Sequence, residues 1–141
     1  MSSAPPPLAN RLGYLLKHAQ ERLTELTSAA LAPYGLSGRE LAVLLVLADG
    51  EPASQQEAAG RLGIDRTSMV AMVDALEAKD LVERRPHPAD RRRNVVALTA
   101  HGRDTVKKAT RASEEAEREF LKPLGQGAGP QFKAVLRALI R

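Results

Sequence analysis

The sequence predicts a mostly α fold of the α+β class: six helices with a small two- or three-stranded antiparallel sheet. Three observations predict it. Apolar residues recur at helical spacing over long stretches near both ends of the chain. Two β-prone segments, 81–84 and 94–98, flank a proline-rich loop, the pattern of a hairpin. Aromatic residues make up only 3% of the chain and Trp is absent, so Leu, Val, Ala and a little Met must build the core, which suits helix packed on helix. At 141 residues with 43% hydrophobic content, the chain fits one globular domain, 1–141.

The elements follow in order. Residues 1–7 hold Pro5-Pro6-Pro7 and read as a flexible or extended tail. Leu8, Leu12, Leu15, Ala19, Leu23, Leu26 and Ala30 then step by three or four, a nearly heptad stripe that Pro33 and Gly35 end. A helix over 8–33 is long beside a mean of about 11–12 residues, which favours pairing with a partner subunit over covering its own core. Ser37-Gly38-Arg39-Glu40 is a capping box, and Leu41–Ala48 is apolar on all sides, as a buried helix is. Asp49-Gly50-Glu51-Pro52 reads as a turn. Ser54-Gln55-Gln56-Glu57 is a second capping box, opening a short helix that ends near Leu62.

Gly63 permits a tight turn, and Asp65 caps the next helix, with Met69, Met72, Val73 and Leu76 on its core face. Leu81–Arg84 and Asn94–Leu98 read as strands, and Pro86–Asp90 between them excludes a helix interior or a central strand. Thr99 caps a long helix carrying Val106, Ala109, Ala116 and Phe120. Gly125–Gly129 reads as a flexible break. Pro130 starts a last helix with Phe132, Val135, Leu136, Leu139 and Ile140 on one face.

Charge is concentrated. Residues 84–93 hold Arg84, Arg85, Arg91, Arg92 and Arg93 against Asp90 alone, a local excess equal to the whole net charge of +4. Such a local excess points to a local, acidic partner. Cys is absent, which excludes disulfides and thiolate chemistry. His18, His87 and His101 have no metal-like spacing, so no metal or cofactor is expected. No Gly-rich phosphate loop or nucleophile elbow appears, so no enzyme is expected. No signal peptide and no apolar run long enough to span a bilayer is read, so the expected setting is the cytoplasm, with no membrane partner.

Helix, tight turn, helix and basic hairpin, from Ser54 to Thr99, make the plan of a winged helix-turn-helix. A helix fits the major groove of DNA, and a hairpin beside it can carry arginines to the backbone or the minor groove. Ser54-Gln55, Leu62-Gly63-Ile64, Val73-Asp74-x-Leu76-Glu77, Leu81–Arg84, Asp90-x-Arg92 and Leu98-Thr99-x-x-Gly102 together resemble the MarR family of multiple antibiotic resistance regulators. The resemblance implies a homodimeric winged-helix regulator, more often a repressor, binding a pseudo-palindromic operator in double-stranded DNA. It implies dimerisation through helices within 8–33 and 100–141, a DNA-binding lobe over 37–99, and a small phenolic or lipophilic effector. It also implies that Asp90 orients Arg92 into the minor groove, and that Asp80, where the family usually has Gly, takes a positive φ, which Asp tolerates better than most residues.

On these grounds Arg66, Thr67 and Ser68 are expected to reach bases and phosphates from the first turn of the recognition helix. Val70 and Ala71 either touch thymine methyls or simply pack. On the wing, Arg84, Arg91 and Arg93 join Asp90 and Arg92, and Ser54 and Gln55 are candidates for the DNA backbone. Tyr14, His18, Arg22 and Tyr34 are candidates to line an effector pocket. A rival reading is a protein-interaction module whose basic wing binds an acidic protein.

Overall fold

The computed structural model describes residues 5–49 and 54–140. Its helices are α1 (Leu12–Leu31), α2 (Gly38–Ala48), α3 (Gln55–Leu62), α4 (Arg66–Ala78), α5 (Ala100–Leu121) and α6 (Ala128–Leu139). The strands β1 (Val82–Pro86) and β2 (Asn94–Leu98) lie between α4 and α5, and short 3-10 turns follow α1 and α5. The six helices and the antiparallel hairpin are those the sequence predicts; the sheet has two strands among the described residues. The predicted turn at Asp49–Pro52 lies outside the described residues beyond Asp49.

The chain divides into two compact units, Leu31–Arg111 and the flanking segments up to Ala30 and from Ala112. In the central unit, Leu31, Leu41, Val43, Leu44, Leu47, Met69, Val73, Leu76, Val82 and Val96 form the buried cluster, with Val106 and Ala109 of α5. The start of α5 therefore packs with the winged-helix elements. α2 is buried along one side only. Leu41, Val43, Leu44 and Leu47 are in the core, whereas Leu45 is 42% exposed, because a helix this short meets neighbours on one flank.

Local signals act where the sequence places them. Ser37 Oγ accepts from the N–H of Glu40, and Glu40 Oε1 accepts from the N–H of Ser37, which closes the first capping box. The second forms by half: Ser54 Oγ accepts from the Glu57 N–H at 3.1 Å, and no return bond from the Glu57 side chain forms among the described residues. Asp80 has φ +60° and is the one non-glycine with positive φ among the described residues.

Three ends differ from expectation. α1 begins at Leu12, not Leu8. The chain ahead of it turns instead, through bonds from Leu8 N–H to Pro5 O (2.9 Å) and from Arg11 N–H to Leu8 O (3.0 Å). Pro86 is the last residue of β1, opposite Asn94; at a strand end the missing donor costs nothing. α6 starts at Ala128 and takes Pro130 into its first turn, where the N–H is unsatisfied anyway. The expected glycine break thus shortens to Gly125 and Gly127, both at positive φ.

In the flanking segments, α1, α5 and α6 are amphipathic, yet Leu12, Leu15, Leu16, Leu124, Val135, Leu139 and Ile140 are all more than 45% exposed. No single helix among the described residues is long and apolar enough to cross a membrane.

Candidate nucleic-acid interface

The helix-turn-helix is set by small residues and caps. Ala58 and Ala59 are buried and let α3 approach its neighbours closely. Gly63 takes φ +64° and bonds its N–H back to the carbonyls of Ala59 and Gly60. The chain then enters α4 through Asp65, whose carboxylate accepts from the Ser68 N–H at 2.8 Å and the Ser68 hydroxyl at 2.7 Å. Those Ser68 bonds hold the Asp65 carboxyl below its ordinary range.

α4 turns Met69, Val73 and Leu76 into the core, which leaves Arg66, Thr67 and Ala71 exposed and Val70 half-buried. The hydroxyl of Ser68 is taken by Asp65. Of the five recognition-helix candidates, Arg66, Thr67 and Ala71 therefore present the freest side chains.

Arg84 is engaged within the fold. Its guanidinium donates to Gln55 Oε1 (3.1 Å from Nε, 2.8 Å from Nη2), Asp74 Oδ1 (2.6 Å) and Glu77 Oε1 (2.8 Å). Its own N–H also donates to Glu77, and its side chain is only 22% exposed. One residue of β1 thus ties the start of α3 to the C-terminal half of α4. Gln55 gives its amide oxygen to this clamp, and Ser54, 9% exposed, gives its hydroxyl to the α3 cap. Both candidates for the DNA backbone therefore also hold α3 in position.

The wing is clamped at its root. Thr99 donates its hydroxyl to Asp80 O at 2.6 Å and its N–H to Leu81 O at 3.1 Å, and it accepts from Gly102 N–H at 2.9 Å. A Cβ on Gly102 would stand 1.9 Å from the carbonyl oxygen of Leu81, so only glycine fits there. At the tip, the His87 N–H donates to Arg93 O (2.8 Å) and the Arg93 N–H to Asp90 O (3.0 Å). Asp90 Oδ1 accepts from the Arg92 N–H at 3.1 Å and lies 3.5 Å from Arg92 Nε. The Arg92 side chain is 93% exposed, and Arg91 and Arg93 are exposed beside it.

A hollow of about 490 Å³ brings Arg66 of α4 and Arg93 of the wing together with Gln55 and Gln56 at the start of α3. Two cations far apart in sequence thus share one concave surface with amide donors. Of the four effector-pocket candidates, Tyr14 and His18 pack against each other, ring centres 4.1 Å apart, and Arg22 lies one turn further along α1. Tyr34 belongs to the central unit and packs on its core.

The profile of the MarR family matches residues 34–93. The chain is 29% identical over 102 residues to the HTH-type transcriptional repressor NicR of Pseudomonas putida, covering 72% of this chain and 65% of NicR, just under two thirds of that relative's length. It is 30% identical over 128 residues to the HTH-type transcriptional repressor Rv2887 of Mycobacterium tuberculosis, covering 91% of this chain and 92% of the relative. The chain belongs to the MarR family.

Among solved structures, this MarR-family chain is similar to the transcriptional repressor CouR bound to a 23-mer DNA duplex: 34% identity, TM-score 0.90, and 100% of both chains covered. CouR from Rhodococcus jostii RHA1 bound to p-coumaroyl-CoA is 28% identical with a TM-score of 0.80, covering 98% of this chain and 95% of that one. As a MarR-family winged helix, the chain has three parts to which the sequence reading assigns no role. Asp74 and Glu77 are the acidic half of the Arg84 clamp, and their i, i+3 spacing on one face of α4 was the available signal. Gln56 lines the hollow with Arg66, with no sequence signal beyond its place in a first turn. Gly102 is needed for the close approach at the wing root, and its place three residues after a capping Thr was legible only through the motif.

Proposed function

We propose that this MarR-family chain is a ligand-responsive repressor that binds a pseudo-palindromic operator in double-stranded DNA as a homodimer. Residues 37–99 act as the DNA-binding lobe, and helices within 8–33 and 100–141 pair the subunits. α4 enters the major groove with Arg66 and Thr67 foremost, and Val70 and Ala71 meet bases through their methyl groups. Arg92, oriented by Asp90, enters the minor groove, while Arg91, Arg93 and Gln55 meet phosphates. Ser54 and Arg84 serve by holding α3 and α4.

One observation carries the reading: a 93% exposed Arg92 is anchored by Asp90 at the tip of a hairpin whose root is fixed beside a capped helix-turn-helix. The DNA-bound CouR structure supports the partner, and the effector-bound CouR supports ligand response. The exposed leucines of α1 and α6 support the dimer. The chain acts as a binder and not a catalyst, and its place is with the DNA in the cytoplasm.

Duplex binding measured against salt tests this. Log affinity should fall with log salt at a slope of about −0.9 per phosphate neutralised. Footprinting on the bound operator should reveal two half-sites about 34–36 Å apart. A salt-independent affinity, or a single half-site, would overturn the DNA reading or the dimer geometry respectively.

A further inference from the structure

The two faces of the wing hairpin differ. Alternation along the strands sets Val82, Arg84, Val96 and Leu98 toward the core and α4, and Glu83, Arg85, Val95 and Ala97 toward the opposite side. The end of α2 and the first turns of α5 lie beside the hairpin, and together they enclose a second hollow of about 410 Å³. Its apolar lining comes from Leu47 of α2, Ala97 of β2 and Val106 of α5, each no more than 8% exposed, with Leu98 at the strand end. Three cations, Arg85, Arg103 and Lys107, also line it, and no carboxylate does among the described residues.

The cations are placed for a shared anion. Arg103 is steadied by one hydrogen bond, from Nη1 to Leu98 O at 3.1 Å, which leaves most of its donors unused. Arg85 pairs with Glu83, its neighbour along the same strand. Lys107 has no acidic partner among the described residues. Glu83 offsets Arg85, whereas Arg103 and Lys107, one helical turn apart on α5, have no carboxylate partner among the described residues, and an anion in the hollow relieves their mutual repulsion. An inorganic ion would leave the apolar walls wet, whereas an acid with an apolar body covers both. The volume lies within the range of about 300–1,000 Å³ usual for small-molecule sites, toward its lower end.

We infer that this hollow is a binding site for a compact organic anion, a carboxylate carrying a ring system or a short acyl chain. The head group meets Arg85, Arg103 and Lys107, and the body lies against Leu47, Ala97 and Val106. The site is confined to the central unit, whereas Tyr14, His18 and Arg22 belong to the flanking segments. Its use as a regulatory site rests on the ligand-responsive reading above; its capacity to bind does not.

The test uses the full chain and three probes: 2-naphthoate, uncharged 2-naphthamide and inorganic phosphate. Naphthoate should bind saturably, in roughly the micromolar-to-millimolar range for a ligand of this size. Amide and methyl NMR shifts should centre on Leu47, Ala97 and Val106. Naphthamide and phosphate should each bind at least about tenfold more weakly, since each lacks half of the recognition. The exposed-site double variant Arg85→Gln/Lys107→Gln should lose about tenfold in naphthoate affinity while its thermal unfolding stays unchanged.

Absence of saturable binding, shifts centred elsewhere, or naphthamide or phosphate equalling naphthoate would each overturn the site. Duplex binding separates the two readings. A chain that binds DNA but not naphthoate sinks the site alone, and one that binds naphthoate but not DNA sinks the regulatory reading alone.

Discussion

Arg92 meets one partner among the described residues, Asp90, and otherwise projects into solvent. Replacing it with Ala removes no core contact, so Arg92→Ala should leave the unfolding midpoint unchanged and weaken operator binding by about 1–3 kcal/mol. Equal affinity for the operator would remove its role in the groove. Gly102 behaves in the opposite way. Its missing Cβ makes room for the Leu81 carbonyl, so Gly102→Ala should lower stability in urea by about 3 kcal/mol, since backbone on both sides must shift. Asp80 is held at φ +60°, and Asp80→Gly should therefore be neutral or stabilising while Asp80→Ala destabilises, read from the same urea midpoints. For Glu40, burial alone raises the pKa, but the bonds and charge of Lys79 and the Ser37 N–H outweigh it and hold the carboxyl below its ordinary value. A depressed carboxyl stabilises the fold above its unfolded pKa, and that contribution is lost as pH falls through the folded one. Glu40→Gln should therefore lose stability at neutral pH and lose less on acidification than the parent, as thermal melts across the acid range would register.

At the scale of elements, the recognition helix owes its pose to Arg84. A planar fork reaches Gln55, Asp74 and Glu77 at once, which an ammonium cannot do. Arg84→Lys should cost about 1–2 kcal/mol in stability and also weaken DNA binding, although Arg84 itself faces inward. An undiminished melting temperature would show the clamp to be idle. Elements were legible in the sequence where their signals are local. Ser37, Ser54, Asp65 and Thr99 mark helix starts within three residues of the group they satisfy, and Gly63 marks a turn by backbone conformation alone, whereas Asp80 is legible only through the family resemblance. Helix ends without such a cap were misjudged. The stripe runs on to Leu8 although the chain before Leu12 is closed into turns, and Pro130 sits as comfortably inside a first turn as before one. Periodicity also missed the exposure of Leu45, because it reports composition around a helix and not how many neighbours the helix has. The clamp was out of reach for a different reason: Arg84 and Gln55 stand 29 residues apart, and a basic run alone does not say which arginine is used internally. The hollow lined by Arg85, Arg103 and Lys107 joins three elements and leaves no mark on any one of them.

At the scale of the molecule, α1 and α6, with Ile140 just beyond, leave Leu12, Leu16, Val135, Leu139 and Ile140 facing water in one copy of the chain. A monomer seldom keeps so many large apolar side chains exposed on two helices. The variant Leu12→Glu/Leu139→Glu should raise the dimer dissociation constant at least about tenfold in sedimentation equilibrium, while the far-ultraviolet signal of the helices persists at high concentration. Operator affinity should then fall toward that of a single half-site, since one lobe no longer raises the local concentration of the other.

The bonds at Thr99 give the wing the mechanics of a beam built in at one end. Thr99 joins Asp80, Leu81 and Gly102 at a single node, so both legs of the hairpin leave the same rigid foundation. Deflection of such a beam grows with distance from the support. Amide exchange should accordingly quicken from Val82 and Leu98 outward to the turn, and the arginines ride where travel is greatest. A stiff foundation with a compliant end lets one sequence of protein fit grooves of differing width while α4 stays in register.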